Sequence, residues 1–277
     1  MMKKERLDTY LVRLGKFNSR ERAKAAILEG TIFVDGKPVN KAGTLVSLSS
    51  EVTVKKKDEE FVSRGGTKLK KALDVFKINV NEKVILDVGA STGGFTDCLL
   101  KKGAKLVIAV DVGYGQLAWP LRNDPRVFVI ERTNIRYLTP DKIPTLAELV
   151  VVDLSFISVK KVIDNIKKIV KHDAEYLILV KPQFEAGREF VGKKGIVRNF
   201  ETHEKVLIDI WKFFEEKGFT VKGLTYSPIV GAKGNMEFLL YLIADKEKTN
   251  HDVLVVEVEK VVSEAHSFLS KTSGGRQ

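Results

Sequence analysis

The sequence is poor in the residues that build disulfides and metal sites. Its 277 residues include one cysteine, Cys98, and four histidines. A single cysteine cannot form an intramolecular disulfide, and it excludes a zinc site made of four cysteines. The histidines lack the spacing of metal ligands, so we expect no metal; they are His172, His203, His251 and His266.

Long apolar segments are missing as well. Apolar stretches such as Phe238–Ala244 are far shorter than the roughly 20 residues that a membrane-spanning helix needs. Met1–Tyr10 contains five charged residues and lacks the apolar segment of a secretory signal. We therefore expect a cytoplasmic protein that has no membrane partner.

Acidic residues are too few to balance the basic ones. The chain has 47 Lys and Arg against 36 Asp and Glu, a formal net charge of +11. Such an excess attracts polyanions, so nucleic acid is the first partner to consider. Charge alone does not decide the question, because a basic soluble protein without such a partner has the same balance.

Residues 1–58 have the pattern of a small α+β domain. Apolar residues recur at helical spacing in Arg6–Leu14, and Asn18 followed by Glu21 is typical of the start of a second helix. Short segments that follow have the pattern of strands: Thr31–Val34, Lys37–Val39, Val46–Leu48 and Val52–Val54.

The two predicted helices carry most of the positive charge of this domain. The first 24 residues contain eight basic and three acidic side chains. Short helices with one basic face suit a phosphate backbone, although charged helix faces are often only solvated. The candidate RNA contacts are Arg6, Arg13, Lys16, Arg20, Arg22 and Lys24.

A specific arrangement of residues also extends through this domain. It consists of Arg6-Leu-Asp, Ser19-Arg20, Ala23, Ile27, Gly30, Val34, Gly36 and Val39. This arrangement resembles the RNA-binding module first described in ribosomal small-subunit protein four. The resemblance implies an RNA partner and leaves open which RNA.

A charged segment without apolar residues, 55–60, indicates a linker, and residues 59–277 then alternate between strand and helix patterns. Five segments rich in Val, Ile and Leu are typical of strands buried in a parallel sheet: Lys83–Asp87, Leu106–Asp111, Val127–Glu131, Leu149–Asp153 and Tyr176–Lys181. The predicted helices are Phe95–Lys102, Val159–Val170 and Glu201–Lys217. Two closely spaced strands, Val221–Ser227 and Met236–Ile243, follow, so one of them is predicted to be antiparallel. The fold class is therefore α/β, with a Rossmann-like, mostly parallel sheet.

A glycine-rich turn follows the first of these strands. It reads Asp87-Val-Gly89-Ala-Ser-Thr-Gly93-Gly94, and Asp111 ends the next strand. Glycines let a backbone approach a ligand closely, and a carboxylate after the second strand can bind two vicinal ribose hydroxyls. Both features occur in dinucleotide sites and in S-adenosylmethionine sites, and a plain tight turn is the alternative to either.

The glycine spacing and the preceding acid favour S-adenosylmethionine. A dinucleotide loop is Gly-x-Gly-x-x-Gly, whereas this loop is Gly89-x-x-x-Gly93-Gly94. The carboxylate of Asp87 suits a cationic methionine moiety better than a pyrophosphate. The loop resembles that of class I S-adenosylmethionine-dependent methyltransferases, which implies these cofactor contacts: Asp87, Gly89, Ala90, Ser91, Gly93, Gly94, Phe95, Asp111, Val112 and, for adenine, Asn134.

Four charged residues are predicted to meet at the edge of the sheet where this loop lies. Asp153 ends the fourth predicted strand, and Lys181 ends the fifth. Glu237 opens the last strand, and Lys68 opens the helix before the first strand. Ligands of such sheets bind beyond the carboxyl ends of the parallel strands, where an antiparallel strand begins. Two lysines and two carboxylates sum to zero charge, which makes their burial feasible. Taken alone, each of these residues could instead be an ordinary charged residue at the surface.

Such a set fits the methylation of a ribose hydroxyl. A 2′-hydroxyl is a poor nucleophile near neutral pH and needs a base within hydrogen-bonding reach. A lysine can serve if a neighbouring cation and burial lower its pKa. The segment Asp153-Leu-Ser-Phe156 lacks the Asn/Asp-Pro-Pro-Tyr/Phe sequence typical of base-amino methyltransferases, which favours oxygen as the acceptor.

Longer strings surround these residues: Val62-Ser-Arg-Gly-Gly66, Val110-Asp-Val-Gly-Tyr-Gly-Gln-Leu117, Lys181-Pro-Gln-Phe-Glu-Ala-Gly187 and Ser227-Pro-Ile. Together with the order of the four charged residues, they resemble the FtsJ-like ribose 2′-O-methyltransferases, and more closely the hemolysin A (TlyA) family of ribosomal RNA methyltransferases. The resemblance implies S-adenosylmethionine as cofactor and 16S or 23S ribosomal RNA, at cytidine, as substrate. It makes Lys181 the base or the group that orients the hydroxyl, within a catalytic tetrad of Lys68, Asp153, Lys181 and Glu237.

Other basic residues near these motifs are further candidates for RNA contact. Arg64 precedes the helix of Lys68, and Arg188 and Lys193 lie in a glycine-containing loop that we interpret as a substrate flap, unless the loop is only solvated. The expected partner is ribosomal RNA or a ribosomal subunit, and the protein is expected to be a monomer or a weak oligomer. Two alternatives stay open: a non-catalytic factor that binds RNA or the ribosome, and a cytolysin, which only the family name suggests.

Overall fold

The computed structural model describes residues 4–28, 31–54, 60–192, 194–231, 233–244 and 251–274. The chain divides into two compact units, Met1–Glu59 and Glu60–Gln277. The segment predicted to be a linker falls almost entirely outside the described residues, and so does the candidate flap residue Lys193.

The first unit is a small α+β domain, as predicted. Its elements are β1 (Lys4–Arg6), α1 (Leu7–Arg13), α2 (Arg20–Leu28), β2 (Ile32–Val34), β3 (Lys37–Pro38), β4 (Leu45–Ser47) and β5 (Val52–Val54). Strand β1, which the sequence pattern does not predict, pairs with β4, while β2 lies between β3 and β5 in a second antiparallel sheet. Both helices and the strands share one hydrophobic core, which includes Leu7, Leu11, Ile27 and Ile32.

The second unit is built on one seven-stranded sheet. Its elements are α3 (Gly65–Phe76), β6 (Val84–Val88), α4 (Gly94–Lys101), β7 (Leu106–Val110), α5 (Trp119–Arg122), β8 (Val127–Ile130), β9 (Ala147–Val152), α6 (Ile163–Ile166), β10 (Val170–Val180), α7 (Pro182–Glu185), α8 (Phe200–Glu216), β11 (Thr220–Tyr226), β12 (Phe238–Ile243) and α9 (His251–Gly274). The strand order is β11-β12-β10-β9-β6-β7-β8. Strands β6 to β10 are parallel, and β12 is antiparallel to both of its neighbours. The prediction of a mostly parallel sheet with one antiparallel strand is confirmed.

The first strand of this sheet, β6, lies in the middle of its five parallel strands. Strands β7 and β8 lie on one side of it, and β9 and β10 lie on the other. The strand order therefore reverses between β6 and β9, and such a reversal opens a crevice beyond the carboxyl ends of the strands. Ile85 and Leu86 of β6 belong to two different hydrophobic clusters, so both faces of the sheet are buried.

The predicted helix Val159–Val170 is wrong. The structure has a 3-10 turn at Val159–Lys161 and the single-turn helix α6, and β10 begins at Val170 rather than at Tyr176. The buried side chains of this segment have helical spacing, which produced the wrong prediction. They are β-branched, however, and therefore favour a long helix poorly: Val162, Ile163, Ile166 and Ile169.

Helix α9 is absent from the sequence prediction, although it is 24 residues long. It packs against α8 and β11. Its buried side chains recur at helical spacing, so a signal for it is present in the sequence: Leu254, Val258, Val261 and Ala265. Across the described part of the chain, no helix combines the length and the apolar character needed to cross a bilayer.

Candidate active site

The loop after β6 touches the loop after β9 at the crevice. Gly89 has a φ of 88°, a left-handed conformation that residues with side chains rarely adopt. A Cβ atom here would lie 2.4 Å from the carbonyl oxygen of Asp153. The N–H of Asp153 in turn donates to the carbonyl of Val88 at 2.9 Å. The predicted cofactor loop and a member of the predicted tetrad are therefore in direct contact, and this contact requires glycine at position 89.

The two following glycines enclose the loop further. A Cβ atom at Gly93 would lie 2.3 Å from a methyl carbon of Leu121 in α5, and one at Gly94 would lie 2.2 Å from Ser63 Oγ. The segment before α3 is thus held against the loop. Phe95 is 3% exposed and belongs to the hydrophobic core, so its side chain does not contribute to the surface of the loop.

Asp111 follows β7 and bridges two loops. Its Oδ2 accepts the N–H of Ser91 at 2.8 Å, and its Oδ1 accepts the N–H of Gly113 at 2.6 Å. Each carboxylate oxygen retains a further lone pair, so the group can still accept hydrogen bonds from two hydroxyls. Val112 beside it is 69% exposed, whereas Ala90 is buried. This arrangement fits the ribose of a nucleoside cofactor.

Asp87, near the end of β6, is completely buried. Its Oδ2 accepts the hydroxyl of Thr96 at 2.6 Å, while its Oδ1 has no hydrogen-bond partner within the described residues. Burial raises the pKa of Asp87 to about 7, and the nearby carboxylate of Asp153 adds to the rise. A buried carboxyl oxygen without a partner, next to another carboxylate, fits a ligand that brings a positive charge.

Asn134 lies after β8 and caps the 3-10 turn Ile135–Tyr137. Its Oδ1 accepts the N–H of Arg136 at 3.1 Å. The capping role occupies the carbonyl oxygen of the side chain and leaves the amide nitrogen for a ligand. The contact with adenine stays a prediction.

Lys68, in the first turn of α3, forms a buried ion pair with Glu237. Lys68 Nζ lies 2.5 Å from Glu237 Oε2, and the two side chains are 11% and 4% exposed. Glu237 immediately precedes β12, and the loop before it leaves room for the carboxylate, because a Cβ atom at Gly231 would lie 2.3 Å from Glu237 Oε1. Two opposite charges with so little access to water compensate each other's burial.

Lys181, which follows β10, forms a second ion pair with Asp153, which follows β9. Lys181 Nζ lies 2.5 Å from Asp153 Oδ1, and this contact is an ion pair without hydrogen-bond geometry. Lys181 Nζ also donates a hydrogen bond to Ser155 Oγ at 3.0 Å. Two groups therefore hold the ammonium group. Ser155 is not among the site residues predicted from the sequence, even though it lies two residues after Asp153 at the same strand end.

The register of the sheet brings the two ion pairs together. Phe238 is opposite Val180 in the antiparallel ladder, so Glu237 and Lys181 are neighbours at the ends of adjacent strands. Strand β9 lies between β10 and β6, which puts Asp153 between Lys181 and the glycine loop. All four residues of the predicted tetrad thus lie at the carboxyl edge of the sheet, beside the predicted cofactor loop.

In the first unit, Asp8 organises two of the candidate RNA contacts. Its buried carboxylate lies 2.9 Å from Arg6 and 3.3 Å from Arg20. Hydrogen bonding from Arg6, supported by Arg20, holds the pKa of Asp8 well below its usual range. Both arginine side chains stay 50% exposed, so one buried anchor fixes two guanidinium groups at the surface.

The other basic candidates are less constrained. Arg13 binds Glu5 at 2.9 Å. The rest are exposed or partly exposed and have no carboxylate partner among the residues that the structure describes: Lys16, Arg22, Lys24, Arg64 and Arg188. Their exposure suits contact with RNA, and that role stays a prediction.

Both units match known protein families. Residues 61–244 match the FtsJ-like methyltransferase family, and residues 5–52 match the S4 domain. The first match covers more than half of the chain, and the second covers the segment that resembles the ribosomal RNA-binding module.

Individual relatives extend along nearly the whole chain. YqxC of Bacillus subtilis, named as a candidate rRNA methyltransferase, is 46% identical over 97% of this chain and 96% of its own length. The 16S/23S rRNA (cytidine-2′-O)-methyltransferase TlyA of Mycobacterium tuberculosis is 45% identical over 87% of this chain and 91% of its own length. A solved structure from Streptococcus thermophilus, described as a hemolysin candidate, is 42% identical, has a TM-score of 0.79, and covers 99% of this chain and 100% of its own. The chain therefore belongs to the hemolysin A (TlyA) family of FtsJ-like methyltransferases.

Proposed function

We propose that this protein transfers the methyl group of S-adenosylmethionine to a ribose 2′-hydroxyl of ribosomal RNA, at a cytidine of 16S or 23S rRNA. The observation that carries the proposal is the convergence of two lysine–carboxylate ion pairs beside the Gly89 loop. The 45% identity to TlyA of Mycobacterium tuberculosis supports the same acceptor. Such a substrate would place the activity in the cytoplasm.

Three groups of this chain would hold the cofactor. Asp111 offers its free lone pairs to the ribose hydroxyls, the main chain of residues 89–94 approaches the methionine moiety, and Asp87 supplies negative charge next to it. When bound, S-adenosylmethionine supplies an electrophilic methyl group on a positively charged sulfur. Burial raises the pKa of Asp87 in the ligand-free protein, and a cation bound nearby would favour its ionised form.

Lys181 would engage the acceptor hydroxyl. Asp153 and Ser155 hold its amino group at the crevice, so the group is aimed at one place before RNA binds. As a neutral amine it accepts the hydroxyl proton, and as an ammonium group it orients the hydroxyl oxygen. The Lys68–Glu237 pair keeps a second cation nearby without adding net charge.

The S4 unit would contribute affinity for RNA. Arg6 and Arg20 present guanidinium groups that Asp8 holds in place, and such groups bind phosphates in a bidentate manner. Phosphate contacts position a protein on RNA without reading its sequence.

Arg22 is a third exposed arginine of the S4 unit. Arg22→Gln is expected to weaken RNA binding and to reduce the salt dependence of that binding by about one counterion.

Methyl transfer from labelled S-adenosylmethionine to unmethylated ribosomal subunits tests the proposal, followed by mapping of the methylated ribose. Lys181→Ala should lower the rate at least about 100-fold in a protein that stays folded. Lys83→Ala is the matched control, since Lys83 is a partly buried lysine that binds Glu175 at 2.8 Å at the opposite edge of the sheet. Full transfer by Lys181→Ala would remove Lys181 from the mechanism.

Calorimetry distinguishes the enzyme from a non-catalytic RNA-binding factor. The proposal requires binding of S-adenosylmethionine, and it requires Asp111→Ala to weaken that binding. Tight binding of RNA by a protein that neither binds the cofactor nor transfers methyl groups would instead support the non-catalytic alternative.

A further inference from the structure

A buried amide side chain joins the predicted flap to the loop before β12. Asn235 is 2% exposed. Its Oδ1 accepts the N–H of Val197 at 2.9 Å, and its Nδ2 donates to the carbonyl of Gly195 at 2.9 Å. Burial of an amide is costly unless both of its ends form hydrogen bonds. Here the flap backbone satisfies both ends, so the two loops hold each other in place.

The main chain around Asn235 also encloses the carboxylate of Glu237. The carbonyl of Asn235 accepts the N–H of Gly231 at 2.8 Å. Gly231 is the residue whose Cβ atom would lie 2.3 Å from Glu237 Oε1. The N–H of Ser227 binds the carbonyl of Glu237 at 2.8 Å. The side chain of Asn235 therefore fixes this segment to the flap, and the main chain at Gly231 and Asn235 closes around Glu237.

The two joined loops carry positive charge at the surface. Arg188, Lys194 and Arg198 on the flap and Lys233 on the other loop are exposed, and none has a carboxylate partner in the described segments. Arg198 directly follows Val197, whose N–H binds Asn235. A phosphate bound at this surface would therefore act on a segment that is hydrogen-bonded to the loop of Glu237.

We propose that Asn235 is a positioning residue that couples RNA contact at the flap to the Glu237–Lys68 ion pair. In this role RNA phosphates hold the flap, and the flap holds the Asn235 amide. Through its main chain, Asn235 then holds Gly231 against the carboxylate that pairs with Lys68. The inference rests on the proposed function for its substrate, whereas the hydrogen-bonded connection itself lies within this chain.

Kinetics of Asn235→Ala test the coupling. Asn235→Ala should lower kcat at least tenfold and leave the KM for S-adenosylmethionine within twofold, because the cofactor loop is not part of the connection. Asn199→Ala is the matched control. Asn199 lies at the end of the same flap and caps α8 by accepting the N–H of Thr202 at 2.8 Å, so its loss should leave kcat within twofold.

A double-mutant cycle distinguishes coupling from simple loss of structure. Arg198→Gln should lower RNA affinity in both backgrounds. It should lower kcat at saturating RNA several-fold in the wild type and not further in Asn235→Ala, since the connection is already broken there. Independent, multiplying effects on kcat would overturn the proposal.

A readout without activity separates this proposal from the proposed function. The side-chain ammonium resonance of Lys68, identified by its loss in Lys68→Met, should shift or broaden in Asn235→Ala and stay unchanged in Asn199→Ala. If the wild type methylates no RNA, the proposed function fails while this resonance still decides the connection. If Asn235→Ala does not fold, Asn235→Asp replaces it, because aspartate keeps the acceptor for Val197 and loses the donor to Gly195. An unchanged resonance in the folded variant would overturn the proposal.

Discussion

Lys68 Nζ lies 2.5 Å from Glu237 Oε2, although the two residues are 169 positions apart in the chain. Lys68 belongs to the helix that precedes the sheet, and Glu237 belongs to the loop that precedes strand β12. The ion pair thus connects elements from the two ends of the methyltransferase domain. Because both charges are buried, each depends on the other for compensation.

Removal of one partner is expected to destabilise the protein more than removal of both. Lys68→Met leaves the carboxylate of Glu237 buried without compensation, which costs about 3 kcal/mol of unfolding free energy. Glu237→Gln likewise leaves the ammonium group of Lys68 buried without compensation. Urea unfolding of the wild type, both single variants and the double variant measures the coupling, which should exceed about 1 kcal/mol. Strictly additive losses would mean that the two groups do not stabilise each other.

Ser155→Ala is expected to slow methyl transfer without weakening the fold. Ser155 is exposed, and its hydroxyl accepts a hydrogen bond from Lys181 at 3.0 Å. A hydrogen bond to a charged group contributes about 1.5 kcal/mol, which corresponds to about a tenfold loss in kcat. Ser158→Ala is a control in the same loop, because Ser158 binds Glu185 instead. Equal kcat values for the two variants would mean that Asp153 alone positions the lysine.

Gly89→Ala is expected to disturb the fold and the cofactor site together. The added Cβ atom would lie 2.4 Å from the carbonyl oxygen of Asp153, at a φ of 88°. Gly218→Ala is the matched control, since Gly218 has a φ of 80° and no atom within 4 Å of the added Cβ. The control should lose about 1 kcal/mol through backbone strain alone, while Gly89→Ala should lose more and bind S-adenosylmethionine poorly. Thermal unfolding and calorimetry measure both, and similar losses of stability would contradict the close approach of the two loops.

The stability of the ligand-free protein is expected to depend on pH through Asp87. In the folded protein this carboxyl group has a pKa of about 7, whereas its ordinary value is 3.8. Between these values the folded state binds more protons than the unfolded state, so rising pH lowers the free energy of unfolding. At pH 8 the loss amounts to about 4 kcal/mol at most.

Asp87→Asn removes this titration while keeping an acceptor for the Thr96 hydroxyl. The variant should therefore gain stability relative to the wild type as the pH rises from 5 to 8, and it should bind S-adenosylmethionine more weakly at pH 8. Urea unfolding at both pH values measures the first effect. A constant difference between the two proteins across this range would mean that Asp87 does not titrate there.

The class of fold and the sheet edge at which the site lies could both be predicted from the order of the residues. Short segments of Val, Ile and Leu indicate buried parallel strands because burial on both faces disfavours polar side chains. Residues that end such strands share one edge of the sheet, so the common location of Asp153 and Lys181 follows from their positions in the chain. The fold of the S4 unit could also be predicted, because each of its helices and strands has its own pattern of apolar residues within a short segment of the chain.

The pairing of the four charged groups, and the contacts that hold them, depend on the three-dimensional arrangement of segments that are remote in the chain. The partners Lys68 and Glu237 meet because the order of the strands brings remote segments together, and no local pattern encodes that order. Hydrogen bonds from Lys181 to Ser155 and from Asn235 to the flap depend on loop paths that the hydrophobic pattern does not constrain. The wrong helix at Val159–Val170 has the same origin: helical spacing of apolar residues reports burial, and burial in a packed domain does not require a helix.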